Sequence, residues 1–183
     1  MRICERKEYF LRENVSGAEN RECTFRFEAN EAGLIFFFSV RDEDVISPFR
    51  EDNEDIWQAD AVEIFLSPDG DPVRYKEMEV SPYGIRFFAD ICNEDGKTPQ
   101  IYKIAPAFEA KAERTQAGYC VRIQISFAAL GVSDMRKIKL NAFRLDKKAD
   151  GRQLLYALGP TFCESFHRAA YFMNLEAEHE VTG

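Results

Sequence analysis

The stretch Ile56-Trp-Gln-Ala-Asp-Ala-Val-Glu-Ile-Phe-Leu66 contains the only tryptophan of the chain. After Trp57 its residues alternate with period two, the pattern of a strand that buries one face. The even-numbered aliphatic residues are therefore predicted to face the core, and Glu63 to face solvent or a cleft, because an unpaired carboxylate is costly to bury. An aromatic ring beside a carboxylate suits a sugar, which stacks C–H groups on the ring and donates hydroxyl hydrogens to the carboxylate. A core tryptophan beside a solvated glutamate is the alternative.

The composition fits one domain with a hydrophobic core. The 183 residues carry a formal net charge of -8, which disfavours nucleic acid and anionic membranes as partners, since both need clustered Lys and Arg. No apolar run approaches the roughly 20 residues of a membrane-spanning helix. The N-terminal residues lack the apolar centre of a signal peptide. We therefore expect a single domain over residues 1–183 in the cytoplasm, without nucleic-acid or membrane partners.

The cysteine pattern predicts reduced thiols. The five cysteines are odd in number and widely spaced, with no Cys-x-x-Cys pair, which disfavours a disulfide framework and a structural zinc site. They are Cys4, Cys23, Cys92, Cys120 and Cys163. A nucleophilic Cys163 assisted by His167 lacks a group that would orient the pair.

Short alternating segments separated by turn formers favour sheet throughout the chain. Strands are predicted at residues 23–28, 34–40, 75–81, 85–91, 119–127, 137–145 and 154–158, besides the run after Trp57 and an irregular strand at 101–113. Residues 128–131 are predicted to form a single helical turn that ends at Gly131. Roughly eight to eleven short strands with minimal helix indicate an all-β fold, an antiparallel two-sheet β-sandwich of the jelly-roll type.

Three polar-tipped residues are predicted to share the face to which Glu63 points. They are Tyr75, Glu77 and Glu79, at alternate positions of one strand. Arg86, on the following strand, is a candidate partner for one of these glutamates. The face is therefore predicted to combine carboxylates with a guanidinium.

Neighbouring glutamates also raise the possibility of glycoside hydrolysis. Inverting glycosidases hold two carboxyl groups roughly 6.5–9.5 Å apart, close to the spacing of residues i and i+2 on a strand. Catalytic carboxyl groups flank the scissile bond from opposite sides, however, whereas Glu77 and Glu79 are in line. We expect them to pair with Arg86, Arg122 or Arg144 across the sheet. The chain is therefore predicted not to be an enzyme.

Five motifs, in order, resemble those of the family 9 carbohydrate-binding modules. They are Trp57-x-x-Asp60-x-Val62-Glu63-x-Phe65, Tyr75-x-Glu77-x-Glu79-Val80-x-Pro82-x-Gly84, Tyr119-x-Val121 to Ile125-x-Phe127-x-x-Leu130-Gly131, Asn141-x-Phe143-Arg144, and Phe166-His167-Arg168 before Phe172. The resemblance spans approximately residues 20–178. It implies a β-sandwich that binds carbohydrate without catalysis, either a glucan or xylan-type oligosaccharide or a polysaccharide end.

The resemblance also implies a set of binding residues. In family members appended to xylanases, two tryptophans clamp the sugar, and glutamate, arginine, glutamine and asparagine side chains bind its hydroxyl groups. Trp57 and Glu63 match the first tryptophan and the glutamate. Arg86 and Gln124 match the arginine and the glutamine by strand position. The matched motifs add Glu77, Asn141 and Arg144 to the candidate binding residues.

The second aromatic wall is where the chain departs from the family pattern. It contains no second tryptophan, so the tail would supply Phe162, Phe166 or His167 instead. A phenylalanine ring has less area and a weaker quadrupole than a tryptophan ring. The alternative for His167 is a histidine hydrogen-bonded beneath the final loop.

Calcium enters the expectations only as a structural ion that braces loops in the family, and no cofactor is expected to be required. Asp69 and Asp71, in the turn Pro68-Asp-Gly-Asp-Pro72, are hard oxygen donors of the kind that Ca²⁺ prefers. The alternative is an acidic turn that is merely solvated.

Two other functional classes are compatible with a sandwich fold. A haem or redox domain needs axial Met or His ligands over a cleft. The chain offers Met78, His167 and His179, at spacings that give no support. The other class is a module derived from a sugar binder that now binds a protein instead of a sugar.

Overall fold

The computed structural model describes residues 3–4 and 7–175, and its regular structure is almost entirely strand. The strands are β1 (Ile3–Cys4), β2 (Tyr9–Phe10), β3 (Arg12–Glu13), β4 (Cys23–Ala29), β5 (Gly33–Arg41), β6 (Ala61–Ser67), β7 (Arg74–Val80), β8 (Arg86–Cys92), β9 (Gln100–Lys103), β10 (Glu109–Thr115), β11 (Gly118–Ser126), β12 (Lys139–Lys147), β13 (Gln153–Ala157) and β14 (Met173–Asn174). One helix, α1, spans Phe127–Leu130, and 3₁₀ turns span Ile56–Gln58, Met135–Lys137 and Ala169–Tyr171. The segment predicted as one irregular strand at 101–113 forms two strands, β9 and β10.

The strands form two antiparallel sheets. Sheet 1 has the order β1-β4-β5-β11-β10, with β2 also paired to β4. Sheet 2 has the order β3-β13-β12-β6-β7-β8-β9, with β14 also paired to β12. Every pairing is antiparallel. The predicted all-β, antiparallel two-sheet sandwich is therefore confirmed.

The main hydrophobic core lies between the two sheets. Strands β4, β5 and β11 bury alternate residues towards it, among them Phe25, Phe36 and Ile123. Sheet 2 contributes Val62 and Ile64 from β6, as the alternation predicts. Each such side chain stabilises the fold by about 1.5–3 kcal/mol when it is removed from water. The faces of the sheets that point towards this core are called inner below, and the opposite faces outer.

A second apolar cluster covers the outer face of sheet 2. All seven residues of β6 are buried, which corrects the expectation that only one face of this strand is buried. The reason is that two connecting segments cross the face. Ile56 comes from the segment before β6, and Phe166 and Phe172 come from the tail after β13. Both segments pack on strand residues such as Phe65.

The predicted helical turn is confirmed as α1, and both of its ends are capped. Ser126 Oγ accepts a hydrogen bond from Ala129 N at 3.1 Å, the usual role of an N-cap serine. Gly131 has φ 72°, a left-handed conformation that glycine adopts without a Cβ clash. No helix in the described part of the chain is long and apolar enough to cross a membrane.

Candidate functional site

Trp57 lies at the entrance of β6, where the sequence places it, on a turn with a fixed backbone and an exposed ring. In the 3₁₀ turn Ile56–Gln58, Ile56 is completely buried and anchors the turn, whereas Trp57 is 46 % exposed. Gln153 Nε2, from β13, donates to Trp57 O at 2.7 Å. The turn packs against β12 and β7, the two strands that flank β6. The result is an aromatic surface over the centre of sheet 2.

Beneath this turn, three glutamates meet on the outer face of sheet 2. Glu63 pairs across strands with Glu79, and Glu77 precedes Glu79 by two residues on β7. Each offers a carboxylate oxygen within 4.8 Å of the others, and we call these residues the glutamate cluster. Glu63, Glu77 and Glu79 are only 3 %, 4 % and 0 % exposed. Of the two positions predicted for Glu63, solvent or a cleft, the solvent-facing one is wrong, because the covering segments enclose this face.

The expected arginine partners of these glutamates lie elsewhere. Arg86 Nη2 pairs with Asp52 Oδ2 at 2.5 Å, and Arg86 Nη1 donates to Phe108 O at 3.0 Å. Arg86 pairs with Val80 and Arg144 with Val62, so both arginines have the strand parity of the inner face. The third candidate, Arg122, lies on sheet 1, where its Nη2 donates to Gln124 Oε1. The predicted cross-strand glutamate–arginine pairs are thus wrong, because the carboxylates and guanidiniums lie on opposite faces.

Within the described residues, no cationic side chain forms an ion pair with the glutamate cluster, and the Lys103 charge lowers the pKa of Glu79 less than burial raises it. Burial is the main cause that raises the pKa of each of the three carboxyl groups above the usual value of a glutamate. For Glu63 and Glu79 the neighbouring Glu77 charge raises the pKa further. Within the described residues, no donor reaches Glu77 Oε2 or either oxygen of Glu79. Three carboxylates this close cannot all be ionised without a cation, so the cluster holds protons or binds a positive charge.

His167 lies on the same outer face, hydrogen-bonded beneath the tail. Its Nδ1 is 2.9 Å from Tyr75 Oη, and Asn93 Nδ2 donates to His167 O at 3.0 Å. The ring centroids of His167 and Phe65 are 4.7 Å apart. Burial lowers the pKa of His167 to about 4, so the imidazole is neutral at pH 7. The structure thus matches the alternative given for His167 in the sequence analysis, a histidine hydrogen-bonded beneath the final loop.

The other two candidates for a second aromatic wall differ in exposure. Phe166 is 7 % exposed and stacks on Phe143, with ring centroids 4.1 Å apart and an interplanar angle of 16°. Phe162 is 58 % exposed and makes an edge contact with Tyr171 at a centroid distance of 5.9 Å. Its φ of 56° is rare for a residue with a side chain. Of the three candidates, Phe162 is therefore the one with a largely open ring.

The remaining candidates divide between the two sheets. Asn141 is fully buried on the outer face of sheet 2, where its side chain exchanges hydrogen bonds with Gly159 O at 2.7 Å and Gly159 N at 2.9 Å. It thus ties the tail to β12. Gln124 is on the outer face of sheet 1, in register with Ile35. The outer face of sheet 2 brings together Glu63, Glu77, Asn141, Phe166 and His167. Arg86, Gln124 and Arg144 are not part of that group.

Arg144 belongs to a second buried cluster, which the sequence analysis missed. Its Nη2 is 3.2 Å from Asp42 Oδ2 and 3.3 Å from Asp146 Oδ2, and Lys148 Nζ is 2.9 Å from Asp146 Oδ2. Asp60 completes this aspartate cluster, and its Oδ1 accepts from Lys147 N at 2.6 Å. Burial raises the pKa of Asp60 to about 6. The only sequence signal was the strand parity of Arg144, an inward position on β12.

A calcium site needs several oxygen atoms that converge on one point. Asp69 Oδ1 accepts from Asp71 N at 3.1 Å, and Asp71 Oδ1 accepts from Val73 N at 2.8 Å, so both carboxylates serve their own turn. Among the described residues, acidic side chains converge only in the aspartate and glutamate clusters. The aspartate cluster already holds two cationic side chains. The glutamate cluster offers hard oxygens without donors, and it fits calcium best.

The thiol and haem alternatives find no support in the arrangement of the described side chains. Cys163 Sγ contacts Thr161 Oγ1 at 3.6 Å and Ser165 O at 3.4 Å, whereas His167 contacts Tyr75. Met78 is in the core between the sheets, on the face of sheet 2 opposite to His167. His179 lies outside the described residues. The four described cysteines, Cys23, Cys92, Cys120 and Cys163, are free thiols.

The fold and the covered outer face define a β-sandwich module with an exposed aromatic residue over a polar and aromatic floor. The chain belongs to the family described as carbohydrate family 9 binding domain-like, whose profile matches residues 5–174. It is 26 % identical over 172 residues to an extracellular protein of Arthroderma benhamiae, an alignment that covers 84 % of this chain and 78 % of that protein.

Solved structures show the same fold. A proposed carbohydrate-binding protein from Bacteroides uniformis superposes with a TM-score of 0.73 at 18 % identity, covering 91 % of this chain and 84 % of that one. A family 9 module from Caldicellulosiruptor kristjanssonii in complex with glucose gives a TM-score of 0.64 at 14 % identity, covering 94 % and 86 %. Another structure from that organism, in complex with cellotriose, gives 0.58 at 16 % identity, covering 82 % and 71 %.

Proposed function

We propose that this chain binds a neutral oligosaccharide, of glucan or xylan type, by stacking a sugar ring on Trp57. The observation that carries the proposal is the exposed Trp57 ring on a turn fixed from both sides, in a chain of a carbohydrate-binding family. A ring held in place before binding loses little conformational entropy when a sugar stacks on it. The relatives in complex with glucose and cellotriose make short β-glucans the first ligands to test.

Glu63 is the proposed polar partner of the sugar on this surface. A hydroxyl group donates hydrogen to a carboxylate without bringing a charge, so it suits a cluster in which Glu77 Oε2 and both oxygens of Glu79 have no donor among the described residues. Because Glu63 is only 3 % exposed, its contact with the sugar requires the tail that also covers this face to move aside, while the turn that carries Trp57 stays in place. Phe162 is the proposed second ring, since Phe166 is packed on Phe143.

The proposed calcium ligands are Glu63, Glu77 and Glu79. Oxygen atoms within 4.8 Å of one another can all lie at the usual Ca–O distance of roughly 2.3–2.6 Å from one ion. Calcium would neutralise the cluster and stabilise the fold. At about 100 times its dissociation constant, the expected gain is about 2.7 kcal/mol.

The calcium proposal is tested by thermal unfolding in EDTA and in calcium. The unfolding temperature of the wild type is expected to rise with calcium, whereas that of Glu79→Gln is expected to stay constant. Asp69→Asn is the matched control and should respond as the wild type does. A shift that survives Glu79→Gln but disappears in Asp69→Asn would place the ion in the turn instead.

Sugar binding is tested by titrating Trp57 fluorescence with cello- and xylo-oligosaccharides. We expect a saturable change with one of the two series. Calorimetry then measures Trp57→Ala, for which binding is expected to be lost, and Glu63→Gln, for which it is expected to weaken at least tenfold. Tyr83→Ala is the control, because Tyr83 is also an exposed aromatic residue in a turn. A flat titration in a folded protein would contradict the proposal and favour a protein-binding role.

A further inference from the structure

The outer face of sheet 1 forms a groove that the proposed function does not use. Its volume is about 340 Å³, within the range of small-molecule sites. It lies on the opposite side of the sandwich from Trp57, since β4, β5, β10 and β11 all belong to sheet 1. The groove therefore needs a separate explanation.

A single row of side chains crosses the floor of this groove. Arg26 pairs with Phe37, Phe37 with Arg122, and Arg122 with Lys111, on four adjacent strands. Neighbouring strands are about 4.8 Å apart, so three cationic side chains and one aromatic ring lie in line. In a chain with a net charge of -8, such a row is a local exception.

The guanidinium of Arg26 is held in place by the floor. Its central carbon lies 3.6 Å from the Phe37 ring centroid, and Nη1 is 2.6 Å from Glu28 Oε1. Stacking on an aromatic face leaves the edge donors of a guanidinium free to bind an anion. Arg26 is thus oriented before any ligand arrives.

Arg122 is the least neutralised cation of the row. Its Nη2 donates to the amide oxygen of Gln124, and no described carboxylate forms an ion pair with it. Lys111, by contrast, pairs with Glu113 at 2.5 Å, although both side chains are largely exposed. An exposed pair of this kind contributes only about 0–1 kcal/mol and exchanges readily with another anion.

The adjoining row supplies three uncharged polar groups and ends at Glu113, which pairs with Cys120 on the fourth strand. Thr24 pairs with Ser39, and Ser39 pairs with Cys120, on the same face of the same strands and two residues along each strand from the first row. Their hydroxyl and thiol groups line the groove beside the cations. Glu8 closes one end, where it accepts from Thr24 Oγ1 at 3.1 Å. The middle of the groove therefore presents mainly hydrogen-bond donors.

We propose that this groove binds a sugar residue that carries an oxyanion, a carboxylate or a sulfate ester, through Arg122 and Arg26. The two guanidiniums bind the anion, and the neighbouring hydroxyl groups bind the sugar hydroxyls. The volume fits about one sugar ring. This site is separate from Trp57, so it stands or falls independently of the neutral-sugar site.

The test is calorimetric titration with oligogalacturonate and with a sulfated oligosaccharide, and with cello-oligosaccharides of the same length as neutral controls. We expect at least one acidic ligand to bind, with affinity that falls as salt rises. Arg122→Gln is expected to weaken this binding at least tenfold, and Arg26→Gln to weaken it as well. Trp57→Ala is expected to leave it unchanged. Circular dichroism and the unfolding temperature show that each variant is folded.

Arg136→Gln is the matched control, because Arg136 is an exposed arginine paired with a neighbouring aspartate, outside the groove. An equal loss of affinity in Arg136→Gln and Arg122→Gln would overturn the proposal, because binding would then depend on the net charge of the protein and not on the groove. Equal binding of inorganic sulfate would overturn the sugar part of it. Loss of acidic-sugar binding in Trp57→Ala would move the site to sheet 2. Failure of neutral sugars alone would count against the Trp57 proposal only.

Discussion

The two faces of sheet 2 each bury three carboxyl groups, but they neutralise them differently. On the inner face, the aspartate cluster is accompanied by Arg144 and Lys148, both within 3.3 Å of Asp146. On the outer face, no cationic side chain of the described residues forms an ion pair with the glutamate cluster, although both clusters contain carboxylate oxygens without a hydrogen-bond donor. The difference shows that the chain supplies its own counter-charge where the charges are structural.

The geometry of the aspartate cluster explains what that counter-charge does. Arg144 is fully buried and contacts the aspartates as ion pairs, while none of its nitrogens makes an aligned hydrogen bond with a described residue. Its guanidinium carbon also lies 5.4 Å from the Tyr156 ring centroid. Charge balance therefore holds the inner cluster together. A glutamate cluster without such balance is available to an external proton, cation or hydroxyl group.

The largest expected effect comes from removing the inner cation. Arg144→Met leaves Asp42 and Asp146 buried without their main counter-charge, and we expect the free energy of unfolding to fall by about 3–5 kcal/mol. Urea unfolding at pH 7 measures it. Lys148→Met is the comparison, and it is expected to cost less because its side chain is 32 % exposed. Equal losses in the two variants would contradict the view that burial of Arg144 is what matters.

The next largest effect is the loss of stability at low pH that His167 causes, which is opposite in sign to the effect of the carboxyl groups on the outer face. Its pKa is lowered to about 4 in the folded protein, so the unfolded chain binds more protons below pH 6.5 and stability falls as the pH falls towards 4. One pKa unit corresponds to 1.36 kcal/mol, which gives a loss of about 2–3 kcal/mol. Urea unfolding of the wild type and His167→Gln between pH 7.5 and 4 measures it. Parallel curves for the two proteins would disprove the assignment.

Glu79, on the same face, is expected to change stability with pH in the direction opposite to His167. Its pKa is raised, mainly by burial, so the folded protein holds protons that the unfolded chain releases as the pH rises above about 4.5. Stability is then lost with rising pH, and Glu79→Gln should remove part of that loss. We expect the variant to be more stable than the wild type by roughly 1–2 kcal/mol at pH 8 and equal to it at pH 4. Unfolding in EDTA keeps metal ions out of the comparison.

Much of the fold follows from the sequence, because alternation directly encodes which side of a strand is buried. The strands around Phe36, Met78 and Ile123 were placed within one or two residues, and the end of α1 was recognised from Gly131, whereas its N-cap, Ser126, was assigned to the preceding strand. The sequence could not reveal that the outer face of β6 is covered. Ile56 and Phe166 reach it from connecting segments outside the strands, for which period-two alternation gives no information.

The candidate site was predictable only in part, for the same reason. The shared face of Glu63, Glu77 and Glu79 follows from strand parity and register. The absence of an arginine partner does not, because Arg86 was assigned by its position on the following strand, and only the register that pairs it with Val80 places it on the inner face. The aspartate cluster joins residues far apart in sequence, such as Asp42 and Asp146. Such long-range contacts leave no local pattern.

The smallest expected effect tests whether Arg86 belongs with the exposed charges. Its pair with Asp52 is about one third exposed on both sides, so water competes for both partners. We expect Arg86→Gln to lower the free energy of unfolding by about 0.2–1 kcal/mol, and the loss to shrink in high salt. Urea unfolding at low and high salt measures it. A loss as large as that of Arg144→Met would mean that position within the sheet, more than burial, decides the strength of an ion pair, and the contrast between the two faces of sheet 2 would then need another cause.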